Sequence, residues 1–180
     1  MNTAVLVVDV QRGIFDPSPR GRAFEADEVV QRINALTARA RAQKVPIAFI
    51  QHETAEGNFA RQNEGWELEK NLEIGANDVI IAKTTSDSFL RTTLNDWLKE
   101  HQVKRLVICG ATTEECVDTT VRSAGSHGYH VVLAADAHTT RDKPHASAAF
   151  IRTHHNYTLP NLDSFEGNIS AVNSADISFN

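Results

Sequence analysis

Cys116 closes the segment Gly110-Ala111-Thr112-Thr113-Glu114-Glu115-Cys116. A glycine ends an apolar run there, and a helical pattern starts near Thr113, a residue type that caps helix starts. The thiol then falls in the first helical turn, where unpaired N–H groups and the helix dipole favour negative charge. A thiol so placed is expected to lose its proton more easily, and the thiolate is the nucleophile. Glu114 and Glu115 oppose this, so a cation must lie nearby. Lys83 ends one apolar run and Asp9 ends another. A nucleophile, a carboxylate base and a positive group are the set that covalent catalysis requires in one cleft. Each signal alone is weak. A cysteine at a helix start is more often a packing residue, a lysine at a strand end usually reaches into solvent, and an acid after a strand is more often a turn former. Their meeting on one rim is what carries weight.

The elements that would bring them together read as strands alternating with helices. Continuous apolar runs at residues 4–9, 45–50, 79–83, 105–110 and 130–136 suit strands buried on both faces, as in a parallel sheet. Apolar positions at helical spacing mark residues 24–43, a helix carrying Leu90, Leu94, Trp97 and Leu98, and helices over 114–128 and 144–155. A short edge strand is expected within 156–162, and the tail beyond Glu166 as irregular or docked on a neighbour. Residues 53–77 are polar, a long loop with a turn near Trp66. Such a succession predicts βαβ units with right-handed crossovers in an open, doubly wound sheet. Ligands bind such sheets beyond the carboxyl ends of the strands. Asp9, His52, Lys83 and Cys116 all belong to that rim.

The chain of 180 residues carries 23 acidic and 18 basic residues, a net charge of −5. That size suits one domain, residues 1–180. The mixed charge argues against nucleic acid or an anionic membrane as partner, and no apolar run is long enough to span a bilayer. With no leader sequence apparent, a cytoplasmic location is expected. Cys109 and Cys116 are then free thiols, Cys109 buried and inert within its strand. His52 is the one histidine placed on the rim. There is no H-E-x-x-H, paired-cysteine, G-x-G-x-x-G or Walker pattern, so neither a metal nor a nucleotide cofactor is expected.

Three motifs in order resemble the isochorismatase-like cysteine hydrolases: Asp9-Val10-Gln11 with Phe15, Lys83-Thr84-Thr85-Ser86-Asp87-Ser88-Phe89, and Gly110 through Val117, with Asp136-Ala137 after the fifth strand also fitting. The resemblance covers residues 3–159. It implies a three-layer α/β/α sandwich around a six-stranded parallel sheet of order 3-2-1-4-5-6, and a catalytic triad carried onto Asp9, Lys83 and Cys116. It also implies a cis peptide joining Ala111 to Thr112, an oxyanion hole from the N–H groups of Thr112 and Cys116, and a homo-oligomer. In that strand order Lys83 lies two strands from Asp9, roughly 10 Å at the usual spacing, a gap the lysine stem must close.

The reaction implied is hydrolysis of a C–N, amide-type bond of a small molecule through a thioester. Nicotinamidases of this family hold a metal with histidines after the second strand; Gln51-His52-Glu53 stands there instead, so that site does not carry over. The Gln51-His52 pair with Gly65-Trp66-Glu67 is similar to a streptothricin-hydrolase-like amidase subgroup. Vinyl-ether hydrolysis of isochorismate and a silent binding module of the same fold are the alternatives. Phe15, His52, Trp66 and Phe89 flank the rim and are the candidate substrate contacts, with a core role open for Phe15 and Phe89 and a subunit contact open for Trp66.

Overall fold

The computed structural model describes residues 2–179, so Met1 and Asn180, the two ends of the expected domain, lie outside it. The elements in chain order are β1 (Thr3–Val8), α1 (Arg12–Phe15), α2 (Ala26–Ala42), β2 (Ile47–His52), β3 (Val79–Lys83), α3 (Leu94–Glu100), β4 (Arg105–Ala111), α4 (Asp118–Ser126), β5 (His130–Thr139), α5 (Ala148–Thr158) and β6 (Ile169–Val172). All strands pair parallel in the order β3-β2-β1-β4-β5-β6.

The central strands are buried on both faces because alternate side chains enter two separate cores. Val5, Val7, Phe49 and Val107 pack under Val29, Ile33 and Leu36 of α2. Leu6, Val8, Ile50 and Ile108 face Leu94 and Leu98 of α3 and Val121 of α4. The helices therefore form two outer layers, and the sheet between them holds every strand end on one rim.

Three expectations change. The stretch 156–162 is not a strand: α5 runs on to Thr158 and a 3₁₀ turn covers Leu159–Asn161. The sixth strand lies at Ile169–Val172, where a short apolar pattern after a glycine carried little periodic signal. The tail beyond Glu166 forms that strand and then docks on its own domain: Asp136 accepts hydrogen bonds from Ser174 N (2.6 Å) and Ser174 Oγ (3.2 Å), and Ile177 is buried beside α2. Leu90, expected in the third helix, precedes α3 and is 48% exposed.

Gly110 decides how closely β4 and β1 meet beneath the rim. Its φ is +118°, and a Cβ there would stand 2.0 Å from Val8 O. Only glycine combines that conformation with that approach. The β4/β5 register also shifts between Ile108 and Gly110. Gly110→Ala is expected to destabilise the fold by about 3 kcal/mol or more, since backbone on both sides must move. A thermal melt reads this, and an unchanged midpoint would show that the two strands are not clamped here.

Candidate active site

Asp9 follows β1 with φ +48°, a left-handed conformation uncommon for a residue other than glycine. Its N–H still donates to Ile50 O at 2.9 Å. The chain thus leaves the sheet at Asp9 while the residue stays tied to β2, which keeps the carboxylate over the rim. Gln11 holds the next turn. Its Nε2 donates to His52 O and Trp66 O, both at 2.8 Å, and its Oε1 accepts from His52 N at 2.8 Å. A buried amide using both ends in this way fixes the end of β2 and the loop beyond it.

Lys83 pairs in register with His52, and its stem crosses the end of β2. The two-strand gap closes: Lys83 Nζ lies 2.7 Å from Asp9 Oδ2, with side-chain exposures of 0% and 2%. The same ammonium donates to Thr85 O (2.8 Å) and Cys116 Sγ (3.2 Å), and approaches His52 Nδ1 at 3.4 Å. Burial and the neighbouring Lys83 hold the His52 pKa below its ordinary value, so its ring stays neutral and Nδ1 can accept. Asp9, Lys83, His52 and Cys116 therefore converge, as expected from their strand ends.

Cys116 sits in a π-helical turn, Thr113–Val117, that leads into α4. The Ala111–Thr112 peptide is cis. Glu115 N and Val117 N both donate to Thr112 O at 3.1 Å, closing the turn. The capping role expected of Thr113 is not seen. Its hydroxyl turns inward to His138 Nδ1 at 2.9 Å. The expected easy loss of the thiol proton is also not seen. The Cys116 pKa is pushed up to about 12, because burial and the Asp9 carboxylate outweigh Lys83. Asp9 is likewise raised, burial exceeding the pull of Lys83. Cys109 is fully buried and its thiol is pushed up further still by desolvation.

A cleft of about 440 Å³ opens over these groups, lined by Asp9, His52, Thr112 and Cys116 together with Phe59 and Ile14. Of the four aromatic-type contacts expected from the sequence, the structure brings only His52 to it. Phe15 is 1% exposed in the α2-side core. Phe89 belongs to the opposite core, stacked on His127 at 4.7 Å. Trp66 contributes its carbonyl to Gln11 and Gln51, while its Nε1 is buried without a partner. Phe59 takes the aromatic place instead, meeting the His52 ring edge-on at 5.8 Å. Phe59 and Ile14 lie in irregular or very short segments, so no periodicity pointed to them. Arg20, Arg141 and Lys143 also reach the cleft from loops. Among the described residues, no group of three or more His, Cys, Asp or Glu side chains could hold a metal, and no helix is long and apolar enough to cross a membrane.

Behind the nucleophile turn lies a directional chain of hydrogen bonds. Asn156 Nδ2 donates to Ala135 O (2.8 Å), so its Oδ1 accepts from His138 Nε2 (2.8 Å), leaving Nδ1 to accept from Thr113. Burial, helped by Arg152 and His155, lowers the His138 pKa to about 4 from an ordinary 6.5. Between those values the folded state binds fewer protons than the unfolded one, so stability falls as pH drops from 6.5 towards 4, by on the order of 3 kcal/mol from this group. In His138→Gln that part of the acid loss should vanish, visible as a flatter profile of Tm against pH over this window. An unchanged slope would assign the acid sensitivity elsewhere.

A doubly wound parallel sheet with a cysteine, a lysine and an aspartate meeting on its carboxyl rim defines an α/β protein of the cysteine-hydrolase type. A family model described as the isochorismatase domain matches residues 3–160, and the chain belongs to the isochorismatase family of hydrolases. It is 35% identical over 144 residues to an isochorismatase family protein of Bacillus subtilis, covering 78% of this chain and 79% of that one. It is 38% identical to a streptothricin hydrolase of Streptomyces noursei, over 79% of this chain but only 56% of the relative's length. Among solved structures, an isochorismatase family protein superposes with a TM-score of 0.84 at 34% identity, covering 95% of this chain and 98% of the other. A cysteine hydrolase from Pseudomonas syringae pv. phaseolicola superposes with a TM-score of 0.85 at 27% identity, over 97% and 89%.

Proposed function

We propose that this chain is a cysteine hydrolase that cleaves a C–N, amide-type bond of a small molecule through a thioester on Cys116. The observation that carries the reading is Lys83 Nζ at 2.7 Å from Asp9 and 3.2 Å from Cys116 Sγ, buried beneath an open cleft that Asp9 and Cys116 line. Asp9 Oδ1 is buried without a hydrogen-bond partner, which leaves it free to take a proton. The raised pKa of Asp9 brings the base closer to the thiol it must deprotonate, and the two groups titrate as a pair beside a fixed cation.

In this mechanism Asp9 takes the thiol proton as Sγ bonds to the carbonyl carbon. The N–H groups of Thr112 and Cys116 hold the resulting oxyanion. The C–N bond breaks, Asp9 returns the proton to the leaving nitrogen, and a thioester remains. Asp9 then deprotonates water, whose oxygen attacks the thioester. The C–S bond then breaks, the acid leaves, and Asp9 passes the proton it took from water to the departing sulfur, which restores the thiol and the carboxylate. The streptothricin hydrolase relative and a ureidoacrylate amidohydrolase of Pseudomonas savastanoi pv. phaseolicola, 26% identical over 94% of this chain, support the C–N assignment by their names.

The test is a panel of small amides, ureides and lactams assayed beside isochorismate, with mass spectrometry of the quenched enzyme. An amide substrate that leaves an acyl mass on the peptide containing Cys116 is expected. Turnover of isochorismate alone, with no adduct, would favour the vinyl-ether reaction. Two free thiols, Cys109 and Cys116, support a reducing cytoplasmic setting. Exposed Phe150 and Tyr157 on α5 support a homo-oligomer, which light scattering would read.

A further inference from the structure

Arg141 enters the cleft from the segment after β5. Its Nη2 donates to Gly13 O (2.7 Å) and Ile14 O (3.0 Å), which pins the guanidinium against α1. Its Nε is buried without a hydrogen-bond partner, and no carboxylate pairs with it among the described residues. Partly buried guanidinium groups elsewhere in the molecule, those of Arg12, Arg41 and Arg152, each have a carboxylate. Arg20 lines the same cleft, also without an ion pair, and the two cations repel each other.

The remaining charges around the cleft are accounted for. Lys83 is paired with Asp9, and Lys143 Nζ with Glu114 Oε1 at 2.8 Å. Asp142 Oδ1 accepts from Ala148 N at the start of α5, at 2.8 Å. Glu115 Oε2 accepts from the Thr112 hydroxyl at 3.0 Å. Each acid has a donor, while Arg141 and Arg20 have no anion. A half-buried, pre-oriented guanidinium with unused N–H groups matches a planar carboxylate.

We propose that Arg141, assisted by the exposed Arg20, is the anion-binding subsite of the cleft, and that the substrate carries a carboxylate on the side of the molecule facing them. This rests on the reading of the cleft as the hydrolase site of Cys116. It narrows the substrate class to small amides bearing a free carboxylate.

The test uses the whole chain and needs no substrate. Iodoacetamide labelling of Cys116 is followed by peptide mass spectrometry in the presence of propionate, butyrate or valerate, or of the matching neutral primary amides. The carboxylates are expected to protect at concentrations about tenfold lower than the amides, as one charge-assisted contact provides. In Arg141→Gln that preference should disappear. Equal protection by both series, or a preference that survives in Arg141→Gln, overturns the subsite. If Arg141→Gln does not fold, Arg141→Lys, which keeps the charge but loses the fork, and Arg20→Gln decide. A reduced preference in both supports the proposal, and an unchanged one in both rejects it. Labelling of Cys116 no faster than Cys109 in the free protein would instead bring down the hydrolase reading, and the subsite with it.

Discussion

Cys116→Ala is expected to lower turnover of an amide substrate by about four orders of magnitude or more, the scale seen when a covalent nucleophile is removed from a catalytic set that acts as a unit. The fold should survive. Cys116 sits at the floor of an open cleft rather than in the sealed core, so its truncation leaves space that water can fill. The loss should therefore fall on kcat with Tm nearly unchanged. Retention of full activity by Cys116→Ala, measured with a substrate that the parent protein hydrolyses, would remove the thioester from the mechanism.

The second large effect belongs to Lys83. Replacement by methionine keeps most of the volume and deletes the charge. Asp9, 1% exposed, then faces a buried site with no cation at 2.7 Å. Breaking a buried pair from one side costs about 3–5 kcal/mol while the remaining partner stays charged. The sign with pH follows from the direction of the Asp9 pKa. It is already above its ordinary 3.8 in the folded state, and losing Lys83 raises it further. Over the window from 3.8 up to that new value, the folded state holds a proton that the unfolded state has released. Stability of Lys83→Met therefore falls as pH rises through the window, and the variant should be closer to the parent at pH 5 than at pH 8. The double variant Asp9→Asn with Lys83→Met should recover much of the loss at pH 8, since neither charge remains. Activity should drop about a thousandfold, because nothing then balances the negative charge that forms on sulfur and substrate. A Tm difference independent of pH, or no recovery in the double variant, would mean that Lys83 acts through packing.

Burial governs the protonation of both Asp9 and Cys116. A thiol in a first helical turn beside a lysine was expected to ionise readily. In the structure desolvation and the adjacent carboxylate raise its pKa together and exceed the single ammonium. In the proposed mechanism the reactive state is reached by moving one proton within the Asp9–Cys116 pair.

The sequence by itself determined the parts that are local and periodic. Continuous apolar runs dictated strands buried on both faces, and alternation with helical patterns dictated a parallel sheet. That sheet necessarily places the strand ends of Asp9, His52 and Lys83, and the start of the helix with Cys116, on one rim. The tertiary structure alone decided what lies between distant segments. Lys83 reaches Asp9 only because its stem crosses the end of β2. Phe15 and Phe89 went to two opposite cores, while Phe59, Ile14 and Arg141 came to the cleft from segments with no periodicity to betray them. The sixth strand formed at Ile169–Val172, since the edge of a sheet needs few residues and its partner is chosen by the chain's return path. Desolvation is likewise a property of the packed surroundings of an atom, which is why the protonation of Cys116 could be read only from the folded molecule.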